Sequence, residues 1–536
     1  MSERIRTVSC GIFCRSPRTR LKYALLLSVF VVASCGLAYE LIAAALSSYV
    51  LGDSITQFST VIGTYLFAMG VGSWLSKFID RGLAIRFIQI ELLVGVVGGF
   101  SSMLLFLAFA HLHDAFRILL YSLVFLTGAL VGLEIPLIMR ILKKQLNLKD
   151  LVANVLTFDY LGALAVSLAF PLILAPQLGL MRSSLMFGIA NVGVALWAIK
   201  VFAAGSLDTE HSEQFAQSAH HARAASFLRL QGGLAMVALV IGFVFADKLT
   251  QHAENSIYAD QVVYTKTTPY QRIVVTRWRD DLRLFLNGNL QFSSRDEYRY
   301  HEALVHPALS ALPFAKRVLI LGGGDGLAAR EVLKYPHVEA VTLVDLDPAM
   351  TTLFKTQPLL SQLNERALSN PKLTVHNADA AVWLEQNSDA FDLILIDLPD
   401  PSNYSLGKLY SVSFYRLIEK HLSARGLMVV QSTSPYFARK SYWCVVGTLE
   451  AAGFATAPYH AYVPSFGEWG YIIASRDPGF QAPDMRAVPT RFLNPATLKT
   501  MFEFSADMAR VPMEPNRLNN QILVRTFEEE WRRVVK

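Results

Sequence analysis

Val318-Leu319-Ile320-Leu321 runs straight into Gly322-Gly323-Gly324-Asp325-Gly326. About seventy residues later Phe391-Asp392-Leu393-Ile394-Leu395-Ile396-Asp397 runs into Leu398-Pro399-Asp400-Pro401. Each stretch is an apolar run of strand length that ends in a loop carrying acids. In an open α/β sheet, ligands bind outside the carboxyl ends of the strands. A glycine-rich loop together with two carboxylates three residues apart points to chemistry on a nucleoside that carries a cation.

Around these stretches, strand and helix patterns alternate. Strands are predicted at about 317–321, 341–345, 373–376, 392–396 and 427–431, the pattern of a doubly wound sheet. The second strand ends in Leu343-Val344-Asp345, about twenty residues past the glycines, where an acid commonly holds ribose hydroxyls. The glycine loop alone is a weak signal, and Asp345 strengthens it. Upstream, Val262-Val263-Tyr264 and Ile273-Val274-Val275-Thr276 have strand composition, and Arg283-Leu284-Phe285-Leu286 meets Asn287-Gly288, a hairpin turn signal. A small antiparallel β domain is therefore expected ahead of the Rossmann-like domain.

The remainder of the chain is of another kind. It has 536 residues, 53% of them hydrophobic, with a mean hydropathy of +0.35, and the apolar excess lies before about residue 247. Seven apolar stretches are read at about 23–51, 58–79, 84–110, 116–141, 151–175, 180–203 and 227–247, most of them long enough to cross the ~20-residue hydrocarbon core. The first is too long for a cleaved signal peptide and lacks a clear cleavage site. These stretches predict an α-helical transmembrane bundle in a multi-pass protein of the cell membrane, with the lipid bilayer as a partner. The expected domains are a basic tail over 1–22, the transmembrane domain over 23–247, the β domain over 248–315, and the Rossmann-like domain with a tail over 316–536.

Arg15, Arg18, Arg20 and Lys22, then Lys77, Arg81 and Arg86, then Arg140, Lys143 and Lys144 flank alternate spans, which places those loops and the N-terminus in the cytoplasm. Seven spans from that start put the C-terminal half outside, and one re-entrant segment reverses the result. The side of the catalytic domain stays open. Glu40, Glu91, Glu134 and Asp159 fall inside the apolar runs. Such acids mark a polyamine or proton pathway, or else hold helices together in the bundle interior.

The net charge of +6 and pI near 9.0 come without a basic stripe interleaved with aromatics, which argues against nucleic-acid binding. Cys10, Cys14, Cys35 and Cys444 are too few for a disulfide framework, and no ligand set for a metal accompanies them. Residues 204–226, with His211, His220 and His221, read as a polar loop between spans. The end of the chain, Phe527-Glu528-Glu529-Glu530-Trp531-Arg532-Arg533, reads as an amphipathic helix for packing or a dimer contact.

The soluble half resembles the spermidine synthases, the polyamine aminopropyltransferases, over about 258–475. The resemblance is carried by Tyr270-Gln271, Gln291, Arg295-Asp296-Glu297, Tyr300-His301-Glu302, the glycine loop, Asp345, Asp379-Ala380, Asp397 to Pro401, Leu409-Tyr410-Ser411 and Phe414-Tyr415. The apolar N-terminal half looks like the membrane-bound branch of that family. The resemblance implies that decarboxylated S-adenosylmethionine, a co-substrate and not a bound cofactor, lies across the sheet ends. Gly322 and Gly324 would belong to its loop, Asp345 would hold its ribose, Asp379 and Ala380 its adenine, and Gln271 would reach it from the β domain. His301, Asp325 and Asp400 would line the amine side, and Asp397 would accept the proton. The implied small-molecule partner is a polyamine, putrescine. Soluble relatives often form dimers or tetramers, so a homo-oligomer is an open expectation.

Several of these residues keep a second reading. Asp325 suits a turn as well as an amine contact, and His301 suits a satisfied core as well as a ligand contact. Tyr300 is either a core aromatic or a hydroxyl that orients the nucleophile. Many soluble members carry a tyrosine just before a Pro-Ser-Gly segment, whereas Val463-Pro464-Ser465-Phe466-Gly467-Glu468-Trp469-Gly470 has Pro464 there and Tyr462 offset. Asn403-Tyr404 replaces the family's Gly-Pro. Both departures lie on the acceptor side. An S-adenosylmethionine-dependent amine methyltransferase and a non-catalytic polyamine sensor or transporter are the competing readings.

Overall fold

The structure, a computed structural model, describes residues 17–51, 54–111, 115–143, 147–203, 219–478, 480 and 488–534. Cys10, Cys14, Arg15, Lys144, His211 and most of the expected basic tail lie outside the described residues. The chain divides into two compact units, Met1–Ala259 and Asp260–Lys536.

The first unit is helical. It comprises α1 (Pro17–Leu51), α2 (Ser54–Leu75), α3 (Leu83–His111), α4 (Phe116–Leu142), α5 (Leu148–Ala169), α6 (Ala175–Ala203) and α7 (Ala219–Ile257). Among the described residues, six helical segments are long and apolar enough to cross a membrane, where the sequence predicts seven. The fifth and sixth stretches both lie within one apolar segment, Lys149–Lys200, in which α5 passes through a π-helical turn at Phe170–Leu174 into α6. Pro171 lacks an N–H, and the wider turn accommodates it without ending the helix. The break in backbone geometry comes later, at Gly179, with φ 73° and ψ 172°. The polar loop expected over 204–226 is also shortened, since its described part, from Ala219 onward, is already helix. The alanine-rich run Ala222-Arg223-Ala224-Ala225 favours that state.

Small residues let α2 and α4 meet backbone to backbone. A Cβ on Gly72 would lie 2.0 Å from the Ala129 carbonyl oxygen, and one on Gly132 would lie 2.2 Å from that of Met69.

The second unit begins with an antiparallel meander, β1 (Gln261–Thr267), β2 (Arg272–Trp278), β3 (Asp281–Leu286) and β4 (Asn289–Ser293). Asn287 and Gly288, with φ of 51° and 83°, join β3 to β4 as the sequence predicts, both positive as a type I′ turn requires. Helix α8 (Glu297–Ala311) follows. Next come β5 (Arg317–Gly322), β6 (Ala340–Asp345), β7 (Leu373–Asn377), β8 (Phe391–Asp397), β9 (Leu422–Ser432), β10 (Ala455–Val463) and β11 (Gly467–Ser475).

These seven strands form one sheet in the order β10-β11-β9-β8-β5-β6-β7. Strands β5 to β9 are parallel, and β11 and β10 add an antiparallel edge that the sequence reading did not include. Val318 and Ile320 enter one apolar core, with Leu393 and Leu395. Leu319 and Leu321 enter another, with Ile394 and Ile396. Both faces are covered, so these strands read as unbroken apolar runs. The chain winds from β5 out to β7 and returns to β8 on the other side of β5. The crevice for a ligand opens at that reversal, where both acid-bearing loops emerge.

The C-terminal helix Ile522–Val534 buries Leu523, Val524 and Phe527. Its Glu530 carboxylate accepts the Lys440 and Ser441 N–H groups at 2.9 and 3.0 Å, which caps the helix Arg439–Ala452. The tail is thus a packing element within its own unit.

Replacing Gly132 with Ile should force α4 away from α2 and cost about 1–3 kcal/mol or more, the range for overpacking. Thermal unfolding of the full chain in detergent measures it, and the exposed-face change Gly63→Ala, where a Cβ meets nothing within 4 Å, should leave the transition in place.

Candidate active site

The glycine loop is shaped by what it must approach. Gly322 has φ 86°, in the left-handed region that favours glycine, and a Cβ there would lie 2.1 Å from the Asp397 carbonyl oxygen. The next N–H, of Gly323, donates to that same oxygen at 3.2 Å. A Cβ on Gly324 would lie 2.6 Å from the Asp345 carboxylate, which accepts the Gly324 N–H at 3.1 Å. The ends of β5, β6 and β8 are thereby drawn together.

Asp345 also accepts the Asp347 N–H at 2.9 Å. Burial lifts its carboxyl to about 6 against the pull of these two donors. Asp347, buried, caps the helix Pro348–Thr356 and accepts Thr268 Oγ1 at 2.8 Å and Gln271 Nε2 at 3.1 Å. Gln271 therefore reaches the site from the β domain, held there by Asp347. Asp379 caps the helix Ala380–Gln386 through the Ala381 N–H at 2.9 Å. Although its partial burial opposes charge, Lys408, 3.2 Å away, and the backbone donors hold Asp379 below the usual carboxylate range. Ala380, beside it, is buried.

Asp397, at the end of β8, accepts the Tyr300 hydroxyl at 2.6 Å on Oδ1. Its Oδ2 lies over the glycine loop, 3.2 Å from where a Gly323 Cβ would sit. Burial raises Asp397, while His301 and the Tyr300 hydrogen bond pull it down. Asp325 uses one carboxylate oxygen to cap the Leu327 N–H at 2.9 Å, so the turn reading holds, and burial lifts its carboxyl to about 6. Asp400 is lifted to about 7 by burial, with Thr433 and Gln431 opposing, and its Oδ1 is buried without a hydrogen-bond partner. The loop that carries Asp400 is pinned by Tyr410, whose hydroxyl donates to the Leu398 and Pro399 carbonyls at 3.1 Å each. Gln431 also donates to the Leu398 carbonyl, and Trp469 Nε1 donates to Gln431 at 3.1 Å.

His301 is buried on α8 and stacks edge-on against Tyr300. Its Nδ1 meets the Glu297 carboxylate at 2.8 Å. Burial opposes its charge, but Glu297, with Asp325 and Asp397 behind it, lifts the imidazole to about 9. Glu297 is itself gripped by the Arg330 guanidinium at 2.8 and 3.0 Å. Arg330 reaches on to Glu331 at 2.9 Å, and Glu331 to His306 at 2.9 Å. A buried chain of hydrogen-bonded polar and charged side chains thus backs the site.

The structure therefore gathers Gly322, Gly324, Asp325, Asp345, Asp397, Asp400, Tyr300 and His301 around the ends of β5 and β8. Gln271, Asp379 and Ala380 lie along the β6 and β7 side. Glu302 carries part of the sequence motif but faces away from this chemistry, accepting the N–H groups of Arg491, Phe492 and Leu493 at 2.6 to 2.9 Å. Asp347, Arg330 and Gln431 were not singled out from the sequence, and Glu297 only as a part of a motif. Asp347 had a legible signal, since Asp347-Pro348 reads as a helix cap followed by proline at the first turn. In the segment that departs from the family pattern, Asp296 accepts the Ser465 N–H and hydroxyl at 2.6 Å each, fixing the β10–β11 turn, while Tyr462 is exposed.

The sheet thus carries an acid-lined crevice at its reversal point, with the Tyr300–Asp397 pair beside the glycine loop, the place where a fold of this class binds its ligand. Comparison with known proteins narrows the class. Residues 297–482 match the spermine/spermidine synthase domain. The chain is 56% identical over 97% of its length to "Polyamine aminopropyltransferase 1" of Ralstonia nicotianae, covering 97% of it. It is 51% identical over 96% of its length to the polyamine aminopropyltransferase of Leptospira interrogans, covering all of it. The crystal structure of spermidine synthase from Thermotoga maritima aligns with 46% of this chain and 85% of its own, at 25% identity and a TM-score of 0.42. The chain belongs to the polyamine aminopropyltransferase family.

His301 should show its neighbour's influence directly. Its stability contribution is fully present below about 6.5, the ordinary imidazole value, and is lost as the pH rises through about 9. In Glu297→Gln the imidazole should titrate at or below about 6.5, followed by NMR of its ring protons, and the alkaline loss of stability should move down with it.

Proposed function

We propose that the chain transfers an aminopropyl group from decarboxylated S-adenosylmethionine to putrescine, giving spermidine and 5'-methylthioadenosine. The observation that carries this reading is the Asp397 carboxylate, with Oδ1 taken by Tyr300 and Oδ2 over the glycine loop. An alkyl diamine has a pKa near ~10.4 and arrives protonated, with no lone pair to attack carbon. Oδ2 of Asp397 takes that proton. The freed nitrogen attacks the methylene carbon beside the sulfonium, the carbon–sulfur bond breaks, and its electron pair returns to sulfur in the leaving thioether. A positioned base of this kind contributes about 10²–10⁴-fold.

The other acids fit the positive charge that both substrates bring. Asp400, with an unpartnered buried oxygen, holds the far ammonium of the diamine, and Asp325 faces the amine of the aminopropyl group. Holding both ends in line raises the effective molarity of the attacking nitrogen. Asp345 takes the ribose hydroxyls, Asp379 and Ala380 take the adenine, and Gln271, aimed by Asp347, reaches the nucleoside. Tyr300 fixes the Asp397 carboxylate, and His301 offsets the charge of the neighbouring acids.

The same reading places the protein in the cell membrane as a multi-pass enzyme. Support comes from the six apolar segments and from the large apolar side chains their helices leave exposed, among them Leu66, Phe67, Leu164, Leu172, Val237 and Val244. Exposed large apolar side chains on helices of span length suit a surround of lipid.

The test is a product assay by mass spectrometry on detergent-solubilised full chain, given the donor and a panel of di- and triamines. Spermidine with 5'-methylthioadenosine is expected. S-adenosylhomocysteine from S-adenosylmethionine would instead establish a methyltransferase, and binding without turnover a sensor or transporter. In Asp397→Asn, kcat should fall by about 10²–10⁴-fold with donor binding little changed, measured by equilibrium dialysis.

The pH dependence has a definite sign. As the pH falls through about 7, Asp400 takes up a proton and no longer attracts the far ammonium, so kcat/KM for the amine should drop. Asp400→Asn should lose most of the amine affinity at neutral pH and also lose that acid limb of the profile.

A further inference from the structure

The interior of the helical unit holds a polar cluster that the transfer reaction does not use. Tyr39 on α1, Glu91 on α3, Glu134 on α4 and Asn191 on α6 are each 3% exposed or less. The Asn191 amide donates to Glu91 Oε2 at 3.1 Å. Glu91 and Glu134 act electrostatically on one another, and both act on the Tyr39 hydroxyl. Glu91 and Glu134 also share a depth. Glu91 lies eight residues after Leu83 and Glu134 eight before Leu142, the matching ends of two successive spans, so each is about 12 Å in at 1.5 Å per residue.

Four buried atoms of this cluster have no hydrogen-bond partner, namely Tyr39 Oη, Glu91 Oε1, Glu134 Oε1 and Asn191 Oδ1. The neighbours are satisfied elsewhere, Tyr65 donating to the Gly36 carbonyl at 2.8 Å and Cys35 to that of Phe187 at 3.5 Å. Among the described residues of this unit, the ion pairs are Arg140–Asp80 and Arg182–Asp247, and neither glutamate has a basic partner. Buried polar groups in a membrane protein are partnered or mark a ligand path.

The unpartnered carbonyl and carboxylate oxygens of Glu91, Glu134 and Asn191 are all acceptors. What completes such a set is a compact cation with several donors. A primary ammonium, with three N–H bonds on one charge, meets both requirements. We propose that Glu91, Glu134 and Asn191 form an ammonium-binding site within the helical unit, whose ligand is one end of an alkyl polyamine. The ammonium chemistry follows from the cluster itself, whereas naming a polyamine rests on the aminopropyl-transfer reading.

The test compares full-length wild type with Glu91→Gln/Glu134→Gln in detergent, by equilibrium dialysis against labelled putrescine, with aminopropyl transfer assayed on the same preparations. The double variant should bind one equivalent of putrescine fewer per chain at saturation, with transfer unchanged at saturating substrates. Equal stoichiometry in the two proteins would overturn the proposal. Loss of the equivalent in a protein that transfers no aminopropyl group at all would uphold the site and overturn the transfer reading alone. If the double variant does not fold, Asn191→Leu, close in shape and leaving both acids in place, is measured in the same way. At least tenfold weaker binding of the extra equivalent supports the site, and unchanged binding overturns it.

Discussion

The contact of Gly322 with the Asp397 carbonyl oxygen organises the catalytic unit. Two parallel strands that are remote in sequence meet there so closely that no side chain fits between them. The Gly323 N–H then bonds the same oxygen, which turns the β5 loop across the end of β8. The proposed nucleoside loop and the proposed base thereby share one crevice. Had β8 returned beside β7 instead of β5, the same two motifs would stand at separate places on the sheet edge.

Bringing Asp325, Asp345, Asp397 and Asp400 together carries an electrostatic cost, since desolvation and mutual repulsion both favour the neutral forms. The protein offsets part of it from behind the site. Arg330 grips Glu297, Glu297 holds His301, and His301 presents positive charge towards Asp325 and Asp397. On the other flank, Gln431, Tyr410 and Trp469 rigidify the Asp400 loop without neutralising it. The remaining negative character suits a reaction whose two substrates are both cations, and it relaxes when they bind.

Much of this was legible in the chain. The unbroken apolar runs at 318–321 and 393–396 announced strands buried on both faces. The acids at their ends announced a site, and Asn287-Gly288 announced its hairpin. Elements that depend on several distant segments were less legible. The β10–β11 edge needs β9 to pair with, and its turn is tied down by Asp296 far upstream. Glu297 and Arg330 look like ordinary charged helix positions until α8 and the helix after the glycine loop face one another. In the helical unit, hydropathy marked each apolar stretch, and the backbone break at Gly179 falls between the stretches read at 151–175 and 180–203, whereas Pro171 marks no helix end because a π-helical turn takes it in.

The sequence by itself determined the two-part architecture, the strand and helix order of the catalytic unit, and which acids stand at strand ends. Those properties depend on local periodicity and on residue types whose backbone preferences act within a few positions. Only the tertiary structure decided which acids became neighbours, which one Tyr300 holds, how His301 comes to be charged, and that Glu91 and Glu134 share a depth with unpartnered oxygens. Each of these depends on burial and on distances between groups tens or hundreds of residues apart, quantities that exist only once the chain has folded.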